Sequence, residues 1–203
     1  LQNLVRIAVD TNNVQADQQT RLAAAIQLKA IVARGWTRPR SAAIAANRDA
    51  QPHAIPDDDK AALRHNLVEA IVVAPRLVQT QLGLCLREAA EADYPARWPS
   101  LLADIVANLR TRDEARVHGA LFALRVLARC FEYRRGEARR PLDGVLEQAF
   151  PLARELLQSL ADAAPSVRAA ERELRALKAF WSAMQSQMPD ALLDRDTFAP
   201  WIE

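Results

Sequence analysis

The side chains in this sequence most able to do chemistry are its histidines, its cysteines and an acidic run at residues 57–59. The histidines are His53, His65 and His118, and the cysteines are Cys85 and Cys130. A metal site needs such ligands a few residues apart in a regular pattern, and these residues are not spaced in that way. A glycine-rich phosphate loop is also absent from the sequence. We therefore expect no catalytic residue, no metal site and no cofactor, and a protein that is not an enzyme.

The charged residues are almost balanced in sign. The 27 basic and 25 acidic side chains leave a formal charge of +2, which is too small to indicate a nucleic-acid surface unless the basic residues cluster. The densest basic run consists of Arg134, Arg135, Arg139 and Arg140. Acidic residues interrupt this run, so we interpret it as a solvated loop. No apolar run reaches the roughly 18 residues of a membrane span, and we expect neither a membrane span nor direct nucleic-acid binding.

Apolar residues recur at helical spacing along most of the chain. Half of the residues are hydrophobic and only 5 are glycine, a composition that favours helices. The pattern predicts nine helical segments and no strand, with most of the 11 prolines between them. Both cysteines fall within apolar helical patterns, so we expect buried, reduced thiols rather than a disulfide.

The helices are predicted to form antiparallel pairs, because most of the links between them are short and polar. The first helices of successive pairs begin near residues 17, 75, 113 and 165, which is close to the period of HEAT repeats once an inserted loop at 37–56 is allowed for. One pair alone has too little partner surface to bury its apolar stripe, so we expect a stacked all-α solenoid. An irregular globular helical domain remains the alternative. Residues 194–203 are predicted to begin one more element.

One helix, predicted at residues 57–74, carries a polar face opposite its apolar stripe. The stripe consists of Leu63, Leu67, Ala70, Ile71 and Ala74. At 100° per residue, Asp58, His65 and Glu69 lie on the opposite side. This side is either a solvated surface or a surface that binds a partner.

A corner between two helices is predicted at residues 91–100. Pro95 cannot continue the helix that precedes it, and it forces Tyr94 out of the helical conformation. Pro99 suits the first turn of the next helix, where its missing N–H has no cost. One helix therefore ends here and another begins.

The aromatic rings at this corner are expected to set its geometry. Tyr94 and Trp98 flank the bend, and we expect Trp98 to be largely buried between the helices that it joins. Asp93 and Arg97 could pair across the corner. An exposed ion pair stabilises a protein by only about 0.2 to 1 kcal/mol, so the rings and the prolines should determine the geometry of the corner more than the charges do.

Several segments resemble consecutive motifs of the importin-β superfamily of nuclear transport receptors. They are RLAAAIQLK at 21–29 followed by Trp36, LRHNLVEAI at 63–71, and DYPARWP at 93–99. A fourth segment, FEYRRGEARRPL at 131–142, is most similar to the importin seven and importin eight subgroup. The chain departs from the family in having Ala30 where an Asn is usual, and in being slightly basic where family members are typically acidic.

The resemblance implies that residues 1–203 are an N-terminal fragment of a HEAT-repeat array in a longer receptor. The importin N-terminal region would cover about residues 1–75, and further repeats would cover about 76–203. The outer helices would lie at 17–34, 75–92, 113–133 and 165–188. Their partners would line the inner surface.

The resemblance also implies partners. In this family the N-terminal region binds the GTP form of the small GTPase Ran, which releases import cargo proteins in the nucleus, and nucleoporin Phe-Gly repeats dock on the outer surface. The receptor would shuttle between cytoplasm and nucleus through the nuclear pore. Asp58, His65 and Glu69 would be candidate Ran contacts. An exportin of the same superfamily, or a HEAT-repeat scaffold without Ran binding, remain alternatives.

Overall fold

The computed structural model describes residues 1–10, 17–37, 54–162 and 164–185, together with residues 188, 189, 192, 198 and 199. These residues form eight α-helices and no strand, which confirms the all-α prediction. The predicted loop at 37–56, apart from its ends, lies outside the described residues. His53 and most of the predicted last element, 194–203, also lie outside them.

The helices are α1 (Gln2–Val9), α2 (Gln18–Gly35), α3 (Asp57–Val73), α4 (Arg76–Asp93), α5 (Ser100–Leu109), α6 (Glu114–Arg129), α7 (Pro141–Ala161) and α8 (Val167–Met184). A short 3₁₀ helix, Gly136–Ala138, precedes α7. Helices α6 and α8 are shorter than predicted.

Side-chain caps mark the start of three helices. Asp17 accepts a hydrogen bond from the amide of Thr20 at 2.7 Å, and this bond lowers the pKa of the Asp17 carboxyl. Ser166 accepts from the amide of Ala169 at 3.0 Å. Asp113 caps α6 in the same way. Each cap satisfies an amide that has no partner within its own helix, which explains why these helices begin where they do.

The chain divides into two compact units, of which the first is Leu1–Asp93. In this unit α1 packs against α2 and α3 packs against α4. Helix α2 also lies beside α4, and α1 beside α3, so the four helices form two layers. The two helices predicted as outer ones, α2 and α4, share a layer.

The second unit, Tyr94–Glu203, repeats this arrangement. Helix α5 packs against α6 and α7 against α8, while α5 lies beside α7 and α6 beside α8. One apolar cluster of this unit joins side chains of α6, α7 and α8: Val117, Leu121, Ala153 and Ala176. Helix pairs that pack on one another in layers are the arrangement expected for stacked repeats.

The basic run between α6 and α7 differs from its prediction. Gly136 has a φ of +55°, a conformation that glycine adopts readily, and it opens the 3₁₀ turn. After this turn Arg139 is buried, and its guanidinium donates to the Phe131 carbonyl at 2.9 Å and to the Ala183 carbonyl near the end of α8. The prediction of a solvated loop is therefore wrong for Arg139, because a cation is stabilised by the carbonyls at a helix C-terminus.

Both cysteines are buried thiols that form no disulfide, as predicted. Burial raises the pKa of the Cys85 thiol to about 12. Cys130 donates a weak hydrogen bond from its Sγ to the Val126 carbonyl at 3.3 Å. Both thiols therefore contribute to the core as small apolar groups.

Candidate functional site

The polar face of α3 is exposed over its whole length. Asp58, His65 and Glu69 are all exposed, and at 100° per residue they lie within about 40° of one another. The structure therefore brings the three predicted residues onto one face. Whether this face binds a GTPase stays a prediction.

The opposite side of α3 packs into the first unit. Leu63, Leu67, Ala70 and Ile71 are buried as predicted, and Val68 and Val72 are buried in addition. Ala74 lies beyond the helix end and is only partly buried, because the backbone turns extended there. The buried side is thus wider than the predicted stripe.

The acidic first turn of α3 is a second feature of this face. Asp57, Asp58 and Asp59 occupy it, where the helix dipole favours negative charge. Asp57 pairs with Lys60 at 3.5 Å. Asp58 and His65 make no hydrogen bond or ion pair within the described part of the chain, so their side chains are available to a partner.

A groove of about 280 Å³ lies between α1 and α3, beside this face. Glu69 lines it from α3, together with Asn66 and the exposed Val73. Helix α1 contributes Arg6 and an apolar wall that includes Val5. An apolar groove with a few charged groups at its edge suits a protein side chain.

Among the residues of this groove, the sequence indicated only Glu69 as a candidate partner contact, and it placed Leu63 and Ala70 in the apolar stripe. Val73 follows Glu69 by four residues, so helical spacing could have found it. Arg6 lies on another helix, and only the packing of α1 against α3 places it in the groove.

The site helix α3 is held to α4 by a buried ion pair. Arg64 Nη1 of α3 lies 2.5 Å from Asp93 Oδ2, and the Asp93 side chain is only 3% exposed. From the sequence, Asp93 could pair with Arg97 across the corner. The partner that the structure shows is Arg64, and the pairing with Arg97 stays a prediction.

The corner lies where it was predicted. Helix α4 ends at Asp93 and α5 begins at Ser100, so both Pro95 and Pro99 fall between the helices. The Tyr94–Pro95 peptide bond is cis. Trp98 is 2% exposed, which confirms its expected burial.

Tyr94 contacts an aromatic ring that the sequence did not suggest. Its ring meets Phe131 edge-on, with centroids 6.2 Å apart and planes at 72°. The Arg134 guanidinium lies over the same Phe131 ring at 5.2 Å. Burial raises the pKa of the Tyr94 hydroxyl. Two segments that resemble family motifs, 93–99 and 131–142, therefore meet in the second unit.

The residues that the structure describes contain no group of three His, Cys, Asp or Glu side chains arranged to hold a metal ion. Among the helices described, none is long and apolar enough to cross a membrane.

Comparison with known proteins gives consistent matches. The family profile described as "Importin-beta N-terminal domain" matches residues 1–73. The chain is 30% identical over 202 residues to the importin beta-like SAD2 homolog of Arabidopsis thaliana, and 30% identical over 205 residues to Importin-8 of Homo sapiens. Both matches cover 99% of this chain but only 18% and 19% of those proteins.

The structure of the exportin Cse1 in its cargo-free, cytoplasmic state has a similar fold. The likeness has a TM-score of 0.77 at 21% sequence identity, and it covers 99% of this chain and 21% of that one. The fold is therefore the HEAT-repeat array that the helix pairing predicted. The sequence matches place residues 1–73 in the importin-β N-terminal domain family, and over 99% of its length the chain is similar to importin-β-like proteins.

Proposed function

We propose that this chain is part of a nuclear transport receptor, and that the exposed face of α3 binds the GTP form of the small GTPase Ran. The observation that carries the proposal is the alignment of Asp58, His65 and Glu69 on one exposed face beside the groove between α1 and α3. Similarity to the importin-β superfamily supports the role as a transport receptor.

The charges of this face suit a basic surface on the GTPase. Asp58 and Glu69 would steer Lys or Arg side chains toward the face, and the groove beside Glu69 would receive an apolar side chain. A preference for the GTP form follows if the contact includes the switch loops, because the γ-phosphate orders those loops and hydrolysis releases them.

The receptor role needs a coupling between the GTPase and cargo. In an importer the two bind antagonistically, so that GTPase binding in the nucleus releases import cargo proteins. Docking on nucleoporin Phe-Gly repeats would carry the receptor between cytoplasm and nucleus through the nuclear pore.

An exportin is the second candidate, and the likeness to the exportin Cse1 favours it. An exporter must load cargo where the GTP form is abundant, so its GTPase and cargo must bind cooperatively. By linkage, the sign of this coupling can be measured from either ligand. Measuring cargo affinity with and without the GTPase therefore distinguishes import from export.

Charge reversal tests the α3 face directly. In the intact receptor, Asp58→Lys with Glu69→Lys should slow association with GTP-loaded Ran about tenfold at low salt and reduce its salt dependence. Glu88→Lys is the matched control for each of the two reversals made singly, because it changes the net charge by the same amount and Glu88 is exposed on α4, in the other layer of the same unit. If the single reversals slow association no more than Glu88→Lys does, the GTPase does not bind this face.

A further inference from the structure

The positive charge of the chain is concentrated in one short segment of the second unit. Residues 125–143, called here the basic segment, include the end of α6, the 3₁₀ turn and the start of α7. They carry three carboxylates and six arginines: Arg125, Arg129, Arg134, Arg135, Arg139 and Arg140. The formal charge of the basic segment is therefore +3, whereas the whole chain has only +2. A negatively charged partner would be attracted to this segment in preference to the rest of the chain.

Carboxylates within the basic segment compensate only part of its charge. Glu132 lies 3.5 Å from Arg129, and Glu137 lies 3.0 Å from Arg140. The second of these pairs is exposed on both sides, so it contributes little and can exchange with another anion. Arg135 is exposed, and its side chain makes no hydrogen bond or ion pair within the part of the chain that the structure describes.

Two of the arginines repel each other at the end of α6. Arg125 and Arg129 are four residues apart and share a face of the helix. Burial lowers the pKa of the Arg125 guanidinium, and the charge of Arg129 lowers it further. The buried Nε of Arg125 has no hydrogen-bond partner among the described residues. An anion bound at this end of α6 would reduce the repulsion.

Contacts within the protein hold the loop of the basic segment in place. The buried Arg139 binds the carbonyls of Phe131 and Ala183, so it ties the loop to the end of α8. The Arg134 guanidinium lies over the Phe131 ring. A loop that is positioned before a ligand arrives loses less conformational entropy when the ligand binds.

Tyr133 adds an exposed aromatic ring to the same loop. Its side chain is 74% exposed. It precedes Arg135 by two residues, which separates their Cα atoms by at most about 7 Å, so one ligand can contact both side chains. Tyrosine and arginine are among the residue types most enriched at the energetic centres of protein interfaces.

We propose that the basic segment binds an acidic segment of a partner protein, with Asp or Glu carboxylates at Arg129, Arg135 and Arg140 and an apolar side chain on the Tyr133 ring. Carboxylates are the expected ligands because a guanidinium can donate two parallel hydrogen bonds to a carboxylate. This proposal does not depend on the GTPase contact of α3, because it uses another unit of the chain.

Nucleic acid suits the basic segment less well than an acidic peptide does. A nucleic-acid strand carries a negative charge at every nucleotide, so it cannot avoid a carboxylate that lies among the arginines. Glu137 is exposed and lies between Arg135 and Arg140 in the sequence. The carboxylates of a peptide are spaced by its sequence, so they can contact these two arginines and leave Glu137 without a facing anion.

Fluorescence anisotropy with the full chain tests the proposal. The probe is a fluorescein-labelled peptide of twelve residues in which pairs of Glu alternate with single Leu. We expect saturable binding that weakens at least tenfold when the salt concentration is raised from about 50 to about 200 mM. The comparison probes are the same peptide with Gln in place of Glu, and a twelve-nucleotide oligothymidine. Absence of binding, equal binding of the Gln peptide, or tighter binding of the oligothymidine overturns the proposal.

Charge reversal then places the peptide on the chain. Arg135→Glu should lower its affinity at least tenfold. Arg112→Glu is the matched control, because it changes the net charge by the same amount and Arg112 is exposed in the turn before α6, at the opposite end of that helix. Circular dichroism checks that both variants fold. Equal affinities of the two variants overturn the proposal.

A last pair of variants tests the aromatic contact. Tyr133→Ala should lower the affinity for the peptide about fivefold, because the Leu side chains lose the ring on which they pack. Trp181→Ala is the matched control, since Trp181 is also an exposed ring of the second unit and lies on α8. Equal affinities of these two variants overturn the proposal.

Discussion

Breaking the ion pair between Arg64 of α3 and Asp93 of α4 should destabilise the first unit strongly. The variants are Arg64→Met, Asp93→Asn and the double substitution. Removing one partner of a buried pair typically costs about 3 to 5 kcal/mol of the free energy of unfolding, because the remaining buried charge loses its ion-pair partner. The Arg64 side chain is 18% exposed and keeps some water. We therefore expect each single substitution to lower the free energy of unfolding by about 2 to 3 kcal/mol, and the coupling energy between Arg64 and Asp93 to be about 2 kcal/mol.

A second ion pair on α4 serves as the control. Arg87 Nε lies 2.8 Å from Glu91 Oε1, a distance similar to that of the buried pair, but the two side chains are 47% and 35% exposed. An exposed pair spaced four residues apart on a helix contributes about 0.3 to 0.5 kcal/mol. The comparison isolates the effect of burial, since both pairs involve α4.

Urea titrations of all variants, followed by far-UV circular dichroism, give the free energies of unfolding. The comparison is valid where the m-values agree, because a changed m-value indicates a changed unfolded or native state. A coupling energy for Arg64 and Asp93 no larger than that for Arg87 and Glu91 would refute the reasoning. In that case the pair does not fix α3 against α4.

Three further predictions concern the core. Trp98→Ala should lower the free energy of unfolding by about 3 to 5 kcal/mol. Trp181→Ala, at a side chain that is 66% exposed, should change it by no more than about 0.5 kcal/mol. Similar denaturation midpoints for the two variants would contradict this prediction. Arg139→Met should lower the free energy of unfolding by about 3 kcal/mol, because two carbonyls lose a charged hydrogen-bond donor. Arg135→Met, at an exposed side chain, is its control. Equal effects of the two substitutions would show that the buried contacts of Arg139 contribute nothing to stability. Between pH 10 and 11, the free energy of unfolding should fall by about 1.3 kcal/mol more in the wild type than in Cys85→Ala. The reason is that the raised pKa lets the folded state keep a proton that the unfolded state loses, and parallel pH profiles would contradict it.

The helices and most of their buried faces could be predicted from the sequence, because apolar residues spaced three and four apart must share a side of a helix. The apolar stripe predicted for α3 omitted Val68 and Val72, which are buried in the structure. Helix α3 packs against both α1 and α4, so it buries two adjacent sides rather than one stripe. In a layered array, the spacing within one helix does not show how many neighbours it has.

Contacts between distant residues could not be predicted in the same way. Asp93 pairs with Arg64, which is 29 residues away, and Arg139 reaches Ala183, which is 44 residues away. Local spacing suggested that Asp93 could pair with Arg97 and that Arg139 lies in a solvated loop. The candidate face of α3 was predictable because its residues lie on one helix, whereas the groove beside it needs Arg6 from α1.

The most direct test of the central proposal compares the two nucleotide forms of the GTPase. The intact receptor is titrated with Ran loaded with GTP and with Ran loaded with GDP, and the two dissociation constants are measured under the same salt conditions. We expect the GTP form to bind at least a hundredfold more tightly, a difference of about 2.7 kcal/mol. Equal affinity for the two forms would contradict the receptor function and favour a HEAT-repeat scaffold.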